Sequence, residues 1–142
     1  VARLVGAFYN DGTPGSGIAG DVLAGVEISH NGTELEGSSF VGVCITDSCN
    51  VPGEYKLNQW GLFGPDALNE THTLSIDFDG KKFTFGFDGR TLEVDRSSHT
   101  PVVGPPHSAF KGIGTRVGQI DGPDEGGFIA ATFDNVVVIF AP

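Results

Sequence analysis

Methionine is absent from the 142-residue chain, tryptophan occurs once, and cysteine and tyrosine occur twice each. Positive charge is also scarce. Eight Lys and Arg face 18 Asp and Glu, for a formal net charge of −10. That balance argues against nucleic acid, because neutralising phosphates takes Lys and Arg in number. It argues equally against an anionic membrane surface. No apolar run reaches the roughly 18 residues of a spanning helix, so no membrane insertion is expected. The four histidines (His30, His72, His99 and His107) form no His-x-His or His-x3-His pair, so no zinc or copper site is expected. A chain that opens on Val1 without Met reads as a processed product or an excised domain, with no signal peptide in view. The cysteines sit in Cys44-Ile-Thr-Asp-Ser-Cys49. One C-x4-C pair lacks the second ligand pair of a structural zinc site. A disulfide closing a short loop is the expectation, with two unbridged thiols as the alternative. A bridge implies an oxidising compartment, so the expected location is secreted, extracellular or periplasmic.

What the chain does contain is Gly (22 residues), Pro (8) and Phe (11), within an apolar share of 39% that can fill a core. The longest stretches free of Gly and Pro are not helical in pattern. In one, Leu74, Ile76 and Phe78 alternate with Ser75 and Asp77. The other contains Val136-Val-Val-Ile-Phe140. Branched side chains of this kind suit a pleated sheet. The clearest local signal is a three-strand meander from His72 to Asp95, turning at Asp79-Gly80 and Asp88-Gly89. Asp-Gly marks tight hairpins because Gly tolerates positive φ. Phe83, Phe85 and Phe87 make one face of this meander greasy, so a second sheet must cover it. Further strands are expected at Arg3–Tyr9, Val22–His30, Phe40–Ile45, Tyr55–Leu62, Ala109–Gly118 and Phe128–Phe140, the last as a central, covered strand. Loops are expected at Asn10–Gly20, Cys49–Gly53, Arg96–His107 and Asp121–Gly127. The expected fold is all-β, an antiparallel β-sandwich, in one domain spanning 1–142.

Several of these segments resemble laminin G-like domains of the concanavalin A-like lectin/glucanase superfamily, including its secreted bacterial members. His72-Thr-Leu-Ser-Ile-Asp-Phe-Asp-Gly80 and Phe83-Thr-Phe-Gly-Phe-Asp-Gly89 are similar to the family's strands that run into Asp-Gly turns. Ile113-Gly-Thr-Arg116 is similar to its Ile-Gly strand. Gly127-Phe-Ile-Ala-Ala-Thr-Phe-Asp-Asn-Val-Val-Val138 is similar to its closing strand. The resemblance covers Trp60 to Phe140 and implies a jelly-roll sandwich that binds carbohydrate or a cell-surface protein. Such domains usually run longer, so strands that precede Val1 in the family are expected to be absent, shortened or supplied by a neighbouring chain.

Hydrolases of the superfamily resemble one another in a Glu-x-Asp-x-x-Glu strand motif, which this sequence lacks. Glu34-Leu-Glu36 offers two carboxylates, but Glu34 follows Asn31-Gly32 and reads as a solvated turn. Retaining hydrolysis needs two carboxyl groups about 5–5.5 Å apart. Gly-x-Ser-x-Gly is also absent, so the reading leans away from an enzyme and names no catalytic residue. Calcium is the expected cofactor, in a structural role. It takes several oxygen ligands from Asp- and Gly-rich loops. Asp121, Asp124 and Glu125 lie in one such loop, and Tyr9-Asn-Asp-Gly12 is a second. An ordinary acidic surface turn is the alternative for both. Asp134 interrupts an apolar strand and resembles the final-strand calcium ligand of related sandwiches. Sugar binding needs a stacking aromatic ring beside polar groups. Trp60, Tyr55 and Tyr9 are the ring candidates, and Asp66 in Gly64-Pro-Asp66 is a polar one. Trp60 lies among apolar residues and reads equally as core. Asn31-Gly-Thr33 and Asn69-Glu-Thr71 match the N-glycosylation pattern. The expected function is a non-catalytic recognition or adhesion module. A small glycoside hydrolase or lyase, or a structural subunit sharing strands with its neighbours, is the alternative.

Overall fold

The computed structural model describes the backbone of residues 1–31, 34–49, 55–66, 70–95, 101–115, 132–133 and 137–138; within it, the side chains of residues 30, 31, 34, 55–60 and 66 lie outside the description. No helix occurs among the described residues. Those residues form eight strands, in order: β1 (Ala2–Asn10), β2 (Asp21–Asn31), β3 (Glu34–Cys44), β4 (Tyr55–Asp66), β5 (Leu74–Phe78), β6 (Lys82–Phe87), β7 (Arg90–Asp95) and β8 (Lys111–Thr115). They make a five-stranded sheet, ordered β4-β3-β2-β1-β8, and a three-stranded sheet, ordered β5-β6-β7. Every described ladder is antiparallel. The fold is an all-β sandwich of a four-strand meander, a three-strand meander and a return strand beside β1.

The second meander follows its sequence pattern closely. Phe83, Phe85 and Phe87 are buried while Thr84 and Gly86 are half-buried. Asp88 (φ +48°) and Gly89 (φ +79°) both take positive φ, the pattern of a type I′ hairpin. At the first turn only Gly80 does (φ +86°), with the Asp79 N–H donating to Lys82 O at 3.3 Å, the pattern of the II′ class. Asp79 Oδ1 accepts the Lys81 and Lys82 N–H groups at 2.7 and 2.8 Å. Those two bonds hold its carboxyl below the usual aspartate range.

The larger sheet covers the Phe row with Tyr9, Val22, Ala24, Val26, Val41 and Val43. Gly37 lies under Phe87, where a Cβ would sit 2.6 Å from the ring; only hydrogen fits there. At the other end of the row, a β-bulge between Ala7 and Tyr9 interrupts the β1–β2 register. Strict alternation would turn Phe8 and Tyr9 to opposite faces, but the extra residue brings both inward. Phe8 meets Phe83 edge-on at 5.1 Å and Tyr9 stacks on Phe78 at 5.3 Å.

Three expectations need correction. β3 begins at Glu34 rather than Phe40, and Glu34 pairs with Asn31 instead of lying in a solvated turn. Its first half lacks apolar alternation because Gly37, Ser38 and Ser39 are small residues in tight places. β4 runs on through Gly64-Pro65-Asp66, which is strand and not loop. As an edge strand it tolerates Pro. In the run expected to be a covered strand at Phe128–Phe140, Thr132, Phe133, Val137 and Val138 are described. All four are exposed and outside any strand. The centre of the second sheet is instead filled by β6 and its phenylalanines. The rest of that run, the loop Asp121–Gly127 and residues 116–118 of Ala109–Gly118 lie outside the described residues.

Candidate functional site

Four strand ends meet at one edge of the larger sheet. Asn10 closes β1 opposite Asp21, which opens β2, and Cys44 closes β3 opposite Tyr55, which opens β4. The segments 11–20, 45–49 and 101–110 therefore converge on one rim. Backbone bonds fasten them: Asn10 N–H to Gly104 O (2.9 Å), Val103 N–H to Asn10 O (2.9 Å), Asp11 N–H to Gly20 O (2.9 Å), and Gly20 N–H to Cys44 O (2.8 Å).

Asp21 is the hub. Its carboxylate is wholly buried, which alone would cost several kcal/mol. Three donors compensate. The His107 and Ser108 N–H groups donate to Oδ1 and Oδ2 at 2.7 and 2.9 Å, and Asn10 Nδ2 donates to Oδ1 at 2.9 Å. Asn10 Nδ2 also donates to Ala19 O (3.0 Å), and Asn10 Oδ1 accepts the Gly12 N–H (2.8 Å). One acidic side chain thus pins a segment 86 residues away to the start of β2. The Cys44–Cys49 disulfide, with Cα atoms 5.5 Å apart, closes the next loop. The Asp47 carboxylate accepts the Ser16 hydroxyl, and Asp47 O accepts the Ile18 N–H at 3.2 Å, tying the disulfide loop to the first one. Thr13, Ser16, Asp47 and Ser48 are exposed on this rim. Such hydroxyl and carboxylate groups can bond a polyhydroxylated ligand on a scaffold that does not have to reorganise.

A second polar cluster lies at the opposite end, around the Asp88-Gly89 turn. His72 Nδ1 and Asp88 Oδ2 lie 2.8 Å apart, and the Thr73 N–H donates to Asp88 Oδ1 at 2.7 Å. Partial burial pushes the Asp88 carboxyl up, but the His72 ring and the Thr73 N–H outweigh it, so it titrates below the usual aspartate range. Arg90 lies over the Phe87 ring at 4.7 Å and donates to Phe63 O at 3.1 Å. These contacts join the hairpin to β4 and read as structural.

The residues expected to bind sugar do not converge. Tyr9 is only 3% exposed and stacks against the Phe78 and Phe83 rings, so it offers no face to a ligand. Tyr55, Trp60 and Asp66 share β4, paired with Cys44, Phe40 and Leu35. At about 3.3 Å per residue, Tyr55 and Asp66 are roughly 36 Å apart, at opposite ends of one strand. Only Tyr55 lies at the rim. Asp121, Asp124, Glu125 and Asp134 lie outside the described residues. Among the described residues, no group of three or more His, Cys, Asp or Glu is placed to hold a metal ion. In Tyr9-Asn-Asp-Gly12 the Asn10 oxygen is taken by the Gly12 N–H and one Asp11 oxygen by the Thr13 N–H at 2.8 Å. That loop therefore caps itself.

The Asn10–Asp21 pair was not singled out by the sequence. Its only sequence signal is two polar residues flanking a Gly-rich loop between apolar strands. The partners at 107 and 108 are backbone donors, which no side-chain pattern reveals. Comparison with protein families, with curated proteins and with solved structures finds no match to this chain.

Proposed function

We propose that this chain is a non-catalytic extracellular recognition module of the laminin G-like, concanavalin A-like jelly-roll kind, which binds carbohydrate at its loop rim. The observation that carries this reading is the fastened rim, three loops held on one buried carboxylate and one disulfide. Weak, loop-borne recognition gains from such preorganisation. Ser16, Asp47 and Ser48 would bond sugar hydroxyls, and Tyr55, which starts β4 beside them, would supply the stacking ring. The disulfide supports an oxidising, secreted setting. Calcium belongs to the same proposal as a structural ion on Asp121, Asp124, Glu125 and Asp134, whose carboxylates have the right chemistry.

A glycan array probed with and without a calcium chelator tests the reading. Binding to a defined glycan class is expected, weakened at least about tenfold by Tyr55→Ala, consistent with the loss of one stacking contact. Chelation should lower it as well. No binder under either condition would overturn the carbohydrate reading. Turnover of a polysaccharide panel would overturn the non-catalytic one.

A further inference from the structure

We infer that the rim selects an uncharged sugar that carries a methyl group, seated on the exposed side chain of Val103. This deepens the carbohydrate reading and rests on it. The rim has two chemical halves. On one side Ser16 and Asp47 bring a hydroxyl and a carboxylate together. On the other, the crossover 101–110 turns hydrocarbon outward, with Val103 66% exposed and Val102 41%. Ile45, two positions before Asp47, is exposed as well. A lone exposed aliphatic side chain is ordinary. Val103 stands apart because the fold fixes it in place. Its N–H donates to Asn10 O at 2.9 Å, and the carbonyl of the next residue, Gly104, accepts the Asn10 N–H at 2.9 Å. Further along the same crossover, the His107 and Ser108 N–H groups are clamped to Asp21. The side chain itself rests on Gly12, where a Cβ would come within 2.8 Å of Val103 Cγ2. Gly12 also takes φ +86°, so a side chain there would be strained as well as crowded. The valine is braced on one flank and shows hydrocarbon to solvent on the other. A β-branched side chain has few rotamers to lose, so little entropy opposes a contact made on it.

The two halves lie close together. Gly12 touches Val103, Ser16 bonds Asp47, and the chain from Gly12 to Ser16 spans at most about 14 Å. A short oligosaccharide covers that distance. Charge then narrows the class. The segments 11–20, 45–49 and 101–110 carry Asp11 and Asp47 and neither Lys nor Arg. A uronic, sialic or sulfated sugar would set its anion against the exposed Asp47 with no cation of these segments to offset it. Among neutral sugars, Val103 separates two kinds. An ordinary hexose would lay a hydroxymethyl group on the valine, which offers the hydroxyl no partner. A methyl group gains from the same contact by leaving water. That methyl is either C6 of a 6-deoxyhexose or the end of an acetamido group, and the chemistry at Val103 is the same for both.

Matched sugars titrated against the full chain by NMR test this. Fucose is compared with L-galactose, which differs only by a hydroxyl at C6. N-acetylglucosamine is compared with glucose, and glucuronic acid supplies the anionic arm. In at least one pair the methyl-bearing sugar should bind about fourfold more tightly than its partner, the worth of one buried methyl. The pair that shows the ratio identifies the source of the methyl. Glucuronic acid should bind no better than glucose. Saturation transferred from the protein should be strongest at the methyl protons of the sugar. Val103→Thr keeps the branched shape but puts a hydroxyl in place of one methyl, and should bring the ratio to about one with Tm unchanged. Equal affinities within both pairs, a preference for glucuronic acid, or a ratio untouched by Val103→Thr overturns the inference while hexose binding keeps the carbohydrate reading. Binding to none of these sugars overturns it too. Glycan-array binders of other kinds would then still uphold carbohydrate recognition, and a blank array would end both.

Discussion

Removing the Asp21 carboxylate should unlock the rim while leaving both sheets in place. In Asp21→Ala the His107 and Ser108 N–H groups and Asn10 Nδ2 lose their acceptor together. Each stranded donor costs about 1–3 kcal/mol when buried. Asn10 keeps its bond to Ala19 O, and the crossover is half-exposed, so water recovers part of the loss. The expected destabilisation is about 4 kcal/mol, toward the upper end for a single substitution. For a domain of this size that corresponds to a Tm lowered by roughly 10–15 °C. Asp21→Asn should cost about half as much, because its amide NH2 faces a backbone donor where an oxygen is required. Urea denaturation gives the free energies, and hydrogen exchange locates them. The amides of residues 103–108 should lose protection first in both variants. A loss under about 1 kcal/mol for Asp21→Ala, with those amides still protected, would show that the crossover is held by something other than this carboxylate.

Other expectations follow from particular contacts. Replacing Cys44 and Cys49 together by Ser should cost about 2 kcal/mol, since a six-residue loop constrains the unfolded chain only modestly; the urea midpoint measures it. Phe85→Ala should cost about 3–5 kcal/mol and expose apolar surface to a hydrophobic dye, because its ring is fully buried between the sheets. The folded Asp88 carboxyl titrates below the ordinary value of 3.8. Its contribution is therefore present above about pH 4 and is lost as pH falls through the lower folded value. His72→Phe removes one of the two bonds that depress it, so stability should fall less steeply between about pH 4 and 2 than in the wild type. Identical acid limbs in urea titrations would contradict that assignment.

The legible parts of the fold were those where one residue type carries one physical demand. Phe83, Phe85 and Phe87 alternate with small or polar residues, and Asp88-Gly89 takes the two positive φ values its turn demands. The meander could be read directly from those facts. Elsewhere the demand was set by a partner far along the chain. Glu34 reads as a turn residue after Asn31-Gly32, and the small residues that follow give no strand pattern until Phe87 is seen to need Gly37 beneath it. Tyr9 looks like a surface ring until the bulge at Phe8 turns it inward. The rim was least legible of all, since Asp21 answers to backbone N–H groups at positions 107 and 108. Cys44 and Cys49 were the exception, because two cysteines five positions apart in sequence bring their own constraint.

The position of β1 between β2 and β8 has a consequence for how the chain is made. Gly6 finds one neighbour in Ala24 and the other in Lys111, 105 positions later. At 5–20 residues per second a ribosome takes roughly 5 to 20 s to deliver the second. Throughout that interval β1 carries an open flank. An unpaired flank is a template for any other chain, so closure of β1 by β8 within one molecule competes with pairing between molecules until Lys111 arrives.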